Sequence, residues 1–454
     1  VPGSDAPVSP EPPIAGEELA HVGAGLRFVE SPTDYLKELR ALHGDTFLLD
    51  IFGFQLLFTF SPRGLQSLYE VEESRASFGM ATFDLIAFKT PIEILMDADI
   101  RLFYDLLLHR NMPAYVQVIN RVVDLELARW GDSGELEIFD AIRTLEQRVG
   151  YALWIAEEAA EEGLWEQLKE NFDVLDQERS FVDPAQTLET IKSNKAREYR
   201  ATGQLVELIG GIIDRRSASE SRSPACLDVL LERFADMAEP DRRRKVVHNA
   251  MNANQGFLSN LYAAIAWVIV RLHENADVLA RVRSEIDTTR GNFGDEFLYD
   301  TDALNAMSYL EQVTMESVRL AQRSLTLRKV MEPVDFDDGD KVYRVQPGVY
   351  LATMLSVTNT QTGELARFDP DHYIKNKLAP SLDIPGTHTI STFGHGAHAC
   401  PAQRFSHHMC KIVTSRLLAC FEFEPLFDDP RPSDRQMGGV SRPAAETRMH
   451  YRRR

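Results

Sequence analysis

The chain has 454 residues, 44% of them hydrophobic and 26% charged, with a net charge of −20. That is enough apolar side chain to bury a large core and sets disorder aside, while the acidic balance argues against a broad positive surface for nucleic acid. Four cysteines, Cys226, Cys400, Cys410 and Cys420, are too few for a disulfide framework and form no C-x-x-C pair, so a reducing, cytoplasmic setting is the expectation. In chain order, residues 1–20 are proline-rich and read as an extended lead-in to one domain that fills residues 1–454. The chain starts at Val1, so a leader or anchor removed earlier stays possible. Tyr35, Leu36, Leu39 and Leu42 space a helix over Pro32 to His43, stopped at Gly44. Thr46 to Ile51 and Gln55 to Phe60 then read as strands of a hairpin across Phe52-Gly53-Phe54. The pattern is helical from there to about residue 325, with breaks near Pro184, Pro224 and Gly291. Within it, Val246 to Ile286 reads as one helix of about forty residues crossing the domain, against an ordinary length of roughly 11. Short strands follow over Lys341 to Val345 and Gly348 to Met354, then loops from Thr358 to Thr392 and a last helix after Pro401. No run reaches the roughly 18 apolar residues that span a bilayer, so no membrane span is expected.

The chemistry concentrates in Phe393-Gly394-His395-Gly396-Ala397-His398-Ala399-Cys400-Pro401-Ala402. Here a glycine-rich loop delivers a cysteine to a helix start, where free N–H groups favour a thiolate and proline costs nothing. A thiolate so placed suits heme iron, and the glycines let backbone pass under a flat ring. The same loop imitates a dinucleotide-binding turn, but only about 54 residues remain after it, too few for repeated βαβ units. His395, His407 and His408 read as solvated histidines rather than a metal set, and Cys410 and Cys420 as core.

The loop resembles that of the cytochrome P450 superfamily, Phe-x-x-Gly-x-x-x-Cys-x-Gly, on Phe393, Gly396, His398 and Cys400, with Ala402 at the last glycine. Leu310 to Leu320 resembles the family's Glu-x-x-Arg helix on Glu316 and Arg319, which at i, i+3 share a helix face. Phe368-Asp369-Pro370-Asp371-His372-Tyr373 resembles the proline region that completes that brace, with His372 in place of arginine. The resemblance spans nearly the full chain and is weakly closest to the sterol demethylase and prostacyclin synthase branches. It implies a mostly α, triangular single domain with a small β-rich lobe at residues 46–60 and 341–354, binding heme b. In that frame Cys400 is the iron ligand, His398 and Arg328 are propionate partners, and Phe393, Gly396 and Gly256 are further heme contacts. Glu316, Arg319 and His372 form the structural brace.

The departures from the family carry information too. Ser259 stands for the acid and Asn260 for the threonine of the oxygen-activating pair, and neither donates a proton as a carboxylic acid does. A monooxygenase acting on an apolar small molecule is the first expectation. The alternative is an isomerase or dehydratase that rearranges a hydroperoxide or endoperoxide without external electrons, with a dinucleotide-binding protein a remote third. Tyr104 and Leu108 replace a usual aromatic and cation before Pro113-Ala114-Tyr115, leaving His109 or Arg110 to substitute. With no flavin or iron–sulfur module in the chain, a ferredoxin or flavoprotein reductase is implied as partner, docking on a basic patch that includes Arg404 and Lys411. Phe83 and Phe88, within Met80 to Leu95, are read as the substrate roof, and the protein as a monomer.

Overall fold

The computed structural model describes residues 11–16, 23–87, 89–176, 189–218, 225–374 and 377–454; Phe88 and the breaks near Pro184 and Pro224 lie outside them. Helices dominate, and the β-rich part centres on a six-stranded sheet. Its order is Ile14–Ala15, Thr46–Ile51, Phe54–Thr59, Tyr350–Met354, Leu325–Val330 and Ala76–Ser77. The hairpin is present with a tighter turn than the three residues read from sequence. Ile51 pairs with Phe54, while Phe52 and Gly53 take φ values of 53° and 84°, the left-handed pair that a two-residue turn needs. Gly53 N–H donates to Asp50 Oδ1 at 2.9 Å and closes the turn.

Two expectations about the β-rich part need correction. The lead-in is not wholly outside the fold, since Ile14–Ala15 pairs in parallel with Leu48 and Leu49 and buries Ala15. The strand at Val342–Val345 does not join the large sheet; it forms its own hairpin with Val334–Asp337. A further sheet joins Ser133–Glu137, Phe421–Pro425 and Arg448–Arg453, strands of distant sequence origin.

The expected forty-residue helix is three helices. Asp241–Leu258, Leu261–Glu274 and Ala276–Phe293 are separated at Ser259-Asn260 and at Asn275. At the first break Asn260 takes φ −132° and ψ −31°, and its Oδ1 accepts the Val440 N–H at 2.8 Å. The loop fits there because Gly439, at φ +61°, has no Cβ; one would come within 1.7 Å of Asn260 Oδ1. At the second break Asn275 Nδ2 bonds the Arg271 carbonyl. Gly291 ends nothing: the helix continues to Phe293 and stops at Gly294, φ +87°.

The stretch Asp241–Glu274 is the one candidate among the described residues long and apolar enough to cross a membrane, and 67% of its most apolar window is buried within the fold. Its second half, Leu261–Glu274, runs through the main core, where Trp267 is fully buried, donates Nε1–H to the Ser441 carbonyl at 2.6 Å, and meets Phe139 edge-on.

The helix Gln403–Cys420 is buried on most of its faces, which overturns three expectations. His407 and His408 are not solvated, at 3% and 2% exposure, and Lys411 is fully buried, donating to the Leu304 carbonyl and pairing with Glu311. Lys411 therefore belongs to no surface patch; Arg404 is exposed. Burial pushes the His407 and His408 imidazoles down to about 4, with the Lys411 charge adding to the effect and Glu311 opposing it.

An imidazole held below its unfolded value of ~6.5 binds fewer protons folded than unfolded, so folding stability falls as pH drops from about 6.5 toward 4. The shift corresponds to at most about 3 kcal/mol per histidine. Thermal melts from pH 7 to 4 are expected to show a steeper loss for the natural chain than for His407→Gln/His408→Gln. Parallel curves would contradict the assignment.

Candidate active site

The brace comes first, because it fixes the floor of the site. Glu316 and Arg319 lie on the helix Ser308–Ala321 and are both fully buried. Arg319 Nε and Nη2 donate to the two Glu316 oxygens at 2.7 and 2.6 Å. The rest of the guanidinium donates to the carbonyls of Asn359, Leu365 and Arg367. Glu316 also accepts the Asp369 N–H at 3.1 Å and stands 3.0 Å from His372 Nδ1, so the structure brings His372 against the pair. Burial works against the charge on Glu316, yet bonds from Arg319 and His372 and the Arg319 charge hold its carboxyl below the ordinary range. The arrangement ties the helix to the loops at 359–372, as a fully paired buried ion pair must to be tolerated.

Above this floor the cysteine loop closes on itself. Cys400 N–H donates to the Phe393 carbonyl at 2.6 Å, and Gly394 N–H to Ser391 Oγ at 3.1 Å. Gly394 takes φ +77°, and a Cβ there would press to 3.1 Å on the His398 carbonyl; Gly396 takes φ +61° in the following turn. The helix itself starts at Gln403, three residues past the cysteine. Accordingly the thiol is not lowered as its sequence position suggests: burial pushes it up, and the Ala402 N–H only partly pulls it back.

Cys400, Phe393, Gly394, His398 and Arg328 line a cavity of about 550 Å³. The opposite wall is the broken helix, through Ala253, Gly256, Phe257, Asn260 and Ala264. A Cβ on Gly256 would meet nothing within 4 Å, so open space lies against it. Asn260 reaches this cavity, while Ser259 and Asn260 both reach a second one above it. The Asn260 amide is already engaged: Oδ1 takes the Val440 N–H and Nδ2 donates to Ser259 Oγ at 3.0 Å. Gly396 lies back from the cavity and shapes the turn.

Two basic side chains, Arg328 and His398, reach the cavity, and a carboxylate joins them. Arg328 Nη2 donates to Glu73 at 3.1 Å, and His398 Nε2 stands 2.8 Å from the same oxygen. Arg328 also donates to the carbonyls of Leu68, Tyr69 and Ala76. Burial opposes ionisation of Glu73, but bonds from Ser77 Oγ and the N–H groups of Gly79 and Phe78, with His398 nearby, hold its carboxyl down at about 2. No motif marks Glu73; only folding brings the residues before Phe78 against the cysteine loop. Tyr104, Leu108, His109 and Arg110 are exposed and none lines the cavity, so none supplies the missing rim contact. In the roof segment Thr82, Ile86, Thr90 and Leu95 line the second cavity, and Phe83 does not.

The donor chemistry fits a heme. Among the described residues no group of three or more His, Cys, Asp or Glu is placed to hold a metal ion. Cys400 and Cys410 both line a mainly apolar cavity where Arg328 and His398 already bind a carboxylate, which suits a cofactor with a thiolate ligand and acidic side arms.

Comparison with known proteins agrees with that geometry. The mouse protein named cytochrome P450 7B1 is 20% identical over 471 residues, covering 97% of this chain and 90% of its own. The sterol 14α-demethylase of Mycobacterium tuberculosis (strain ATCC 25618 / H37Rv) is 24% identical over 329 residues, 69% of each chain. The structure of retinoic acid-bound cyanobacterial CYP120A1 superposes with a TM-score of 0.75 at 18% identity, covering 98% of this chain and all of that one, which shows the fold to be shared. The family model described as Cytochrome P450 matches residues 152–450. The chain belongs to the cytochrome P450 family, whose members are heme-iron oxidoreductase monooxygenases.

Proposed function

We propose that this single-domain protein is a heme-thiolate monooxygenase that inserts one oxygen atom from dioxygen into an apolar small molecule, taking electrons from a separate ferredoxin or flavoprotein. The observation that carries this reading is the position of Cys400 across one apolar cavity from the broken helix at Gly256 to Asn260. Heme b, when bound, supplies the redox chemistry with dioxygen. Cys400 would be its ligand, bound as the thiolate in place of the thiol that burial favours in the free site. Arg328 and His398 would hold its acidic arms, and both also bond Glu73. Phe393 covers the sulfur side, its ring 5.2 Å from that of His407.

Proton delivery is where this chain differs. No Asp or Glu lines the cofactor cavity among the described residues. Ser259 and Asn260 orient and bond rather than shuttle acid protons, so water entering through the second cavity carries them. The same feature favours a second reading, rearrangement of a hydroperoxide or endoperoxide, which needs neither electrons nor that relay.

The two readings separate by whether turnover needs reductant and dioxygen. With a lipid hydroperoxide and no reductant, no rearranged product is expected; with NADPH, a surrogate ferredoxin and its reductase, dioxygen uptake sensitive to carbon monoxide is expected. Isomerised product without reductant would establish the second reading instead.

A further inference from the structure

Among the described residues Arg328 and His398 are the only basic side chains that line the cofactor cavity, and a single carboxylate holds both. Glu73 Oε2 accepts from Arg328 Nη2 at 3.1 Å and stands 2.8 Å from His398 Nε2. Glu73 itself does not line the cavity, so a group that fills the cavity meets the two bases with this acid already beside them.

Glu73 is also fastened where it stands. Its carboxylate accepts Ser77 Oγ–H at 2.6 Å and the N–H groups of Phe78 and Gly79 at 3.1 and 3.0 Å, the first free donors of the helix Phe78–Ile86. An anion is favoured at that helix end whether or not the cavity is filled. The Phe78 ring stacks on the His398 imidazole at 4.8 Å, so helix start, acid and base form one packed unit. Glu73 therefore stays in place when the cavity fills.

A charge imbalance follows. Arg328 and His398 supply at most two positive charges, while heme b brings two acidic arms and Glu73 adds a third carboxylate. The site then carries at least one negative charge in excess, and reduction of ferric to ferrous iron adds another. Fixed charge near a cofactor is one of the means by which a protein sets its potential.

We infer that Glu73 is a resident counter-anion of the cofactor site, which shares Arg328 and His398 with the acidic arms of the heme and biases the iron toward its oxidised state. The inference rests on the heme reading above. A site biased in this way takes its first electron from a strongly reducing donor.

The test is redox potentiometry of the purified, heme-loaded protein at neutral pH, followed by its visible spectrum, for the natural chain, Glu73→Gln and Glu73→Asp. Glu73→Gln keeps an oxygen for the helix N–H groups and removes the charge. Its reduced-to-oxidised ratio at a fixed potential is expected to rise about threefold in low salt, a modest effect because the Glu73 side chain is 46% exposed. At high salt the difference is expected to shrink, which a change of packing would not produce. Glu73→Asp, which keeps the charge, is expected to stay near the natural value. An unshifted Glu73→Gln, a shift indifferent to salt, or an equal shift in Glu73→Asp would overturn the inference and leave the heme reading standing. Should Glu73→Gln not fold, Glu73→Ser gives the same comparison, since serine also caps a helix without charge. A natural chain that takes up no heme would overturn both.

Discussion

Arg319→Leu is expected to lower folding stability by about 3–5 kcal/mol, because it strands a buried carboxylate. Arg319 makes two bonds to Glu316 and also satisfies the carbonyls of Asn359, Leu365 and Arg367 from a position with no solvent access. Leucine offers none of these donors, so Glu316 must either take a proton or draw water into the core. A whole domain is stable by only about 5–15 kcal/mol, so the loss is expected to reach expression and heme retention as well. Lysine is no substitute, since one ammonium cannot span both Glu316 oxygens and three carbonyls. The coupling is testable in the same experiment. The double variant Glu316→Leu/Arg319→Leu is expected to lose less than the sum of the single ones, because the stranded charge is gone. Urea unfolding of the four proteins measures this, and a single-variant loss below about 1 kcal/mol would place the pair among ordinary surface i, i+3 contacts.

Cys400→Ala is expected to abolish reductant-driven turnover while leaving the fold in place. Cys400 is an exposed residue outside the hydrophobic core, and its backbone N–H, which closes the loop on Phe393, survives the substitution. What is lost is the only thiol lining the cofactor cavity besides Cys410, which is buried in the helix behind and pushed by desolvation up to about 12. Cys410 therefore cannot take over, and Cys410→Ala is expected to retain the heme spectrum. An unchanged melting curve with no turnover separates ligand loss from unfolding; full activity in Cys400→Ala would contradict the assignment.

The sequence made the cysteine loop and the brace legible because their parts lie within ten residues and local spacing sets their geometry. His372 lies 56 residues from Glu316 and was legible only through the resemblance of Phe368 to Tyr373 to the family's proline region; the fold brings it against Glu316. The break at Ser259-Asn260 was not legible, since it depends on Val440 arriving 180 residues later to take the Asn260 oxygen. Apolar periodicity runs straight through such a break, so one long helix was the natural reading. Lys411, His407 and His408 misled in the opposite sense. Charged and polar residues usually mark the solvated face of a helix, but Gln403–Cys420 is packed on most sides, and Lys411 enters the core with Glu311 as its partner. Glu73 belonged to no motif and acquired its place at the cavity rim only through the fold. The strand Arg448–Arg453 likewise pairs across more than 300 residues with Ser133–Glu137, beyond the reach of local pattern.

The most direct test of the central claim is the carbon monoxide difference spectrum of the reduced protein, recorded for the natural chain and for Cys400→Ala. Thiolate ligation by Cys400 predicts a strongly red-shifted Soret band in the natural chain that is absent from the variant. A band at the position typical of histidine-ligated heme, or a red-shifted band that survives in Cys400→Ala, would contradict it.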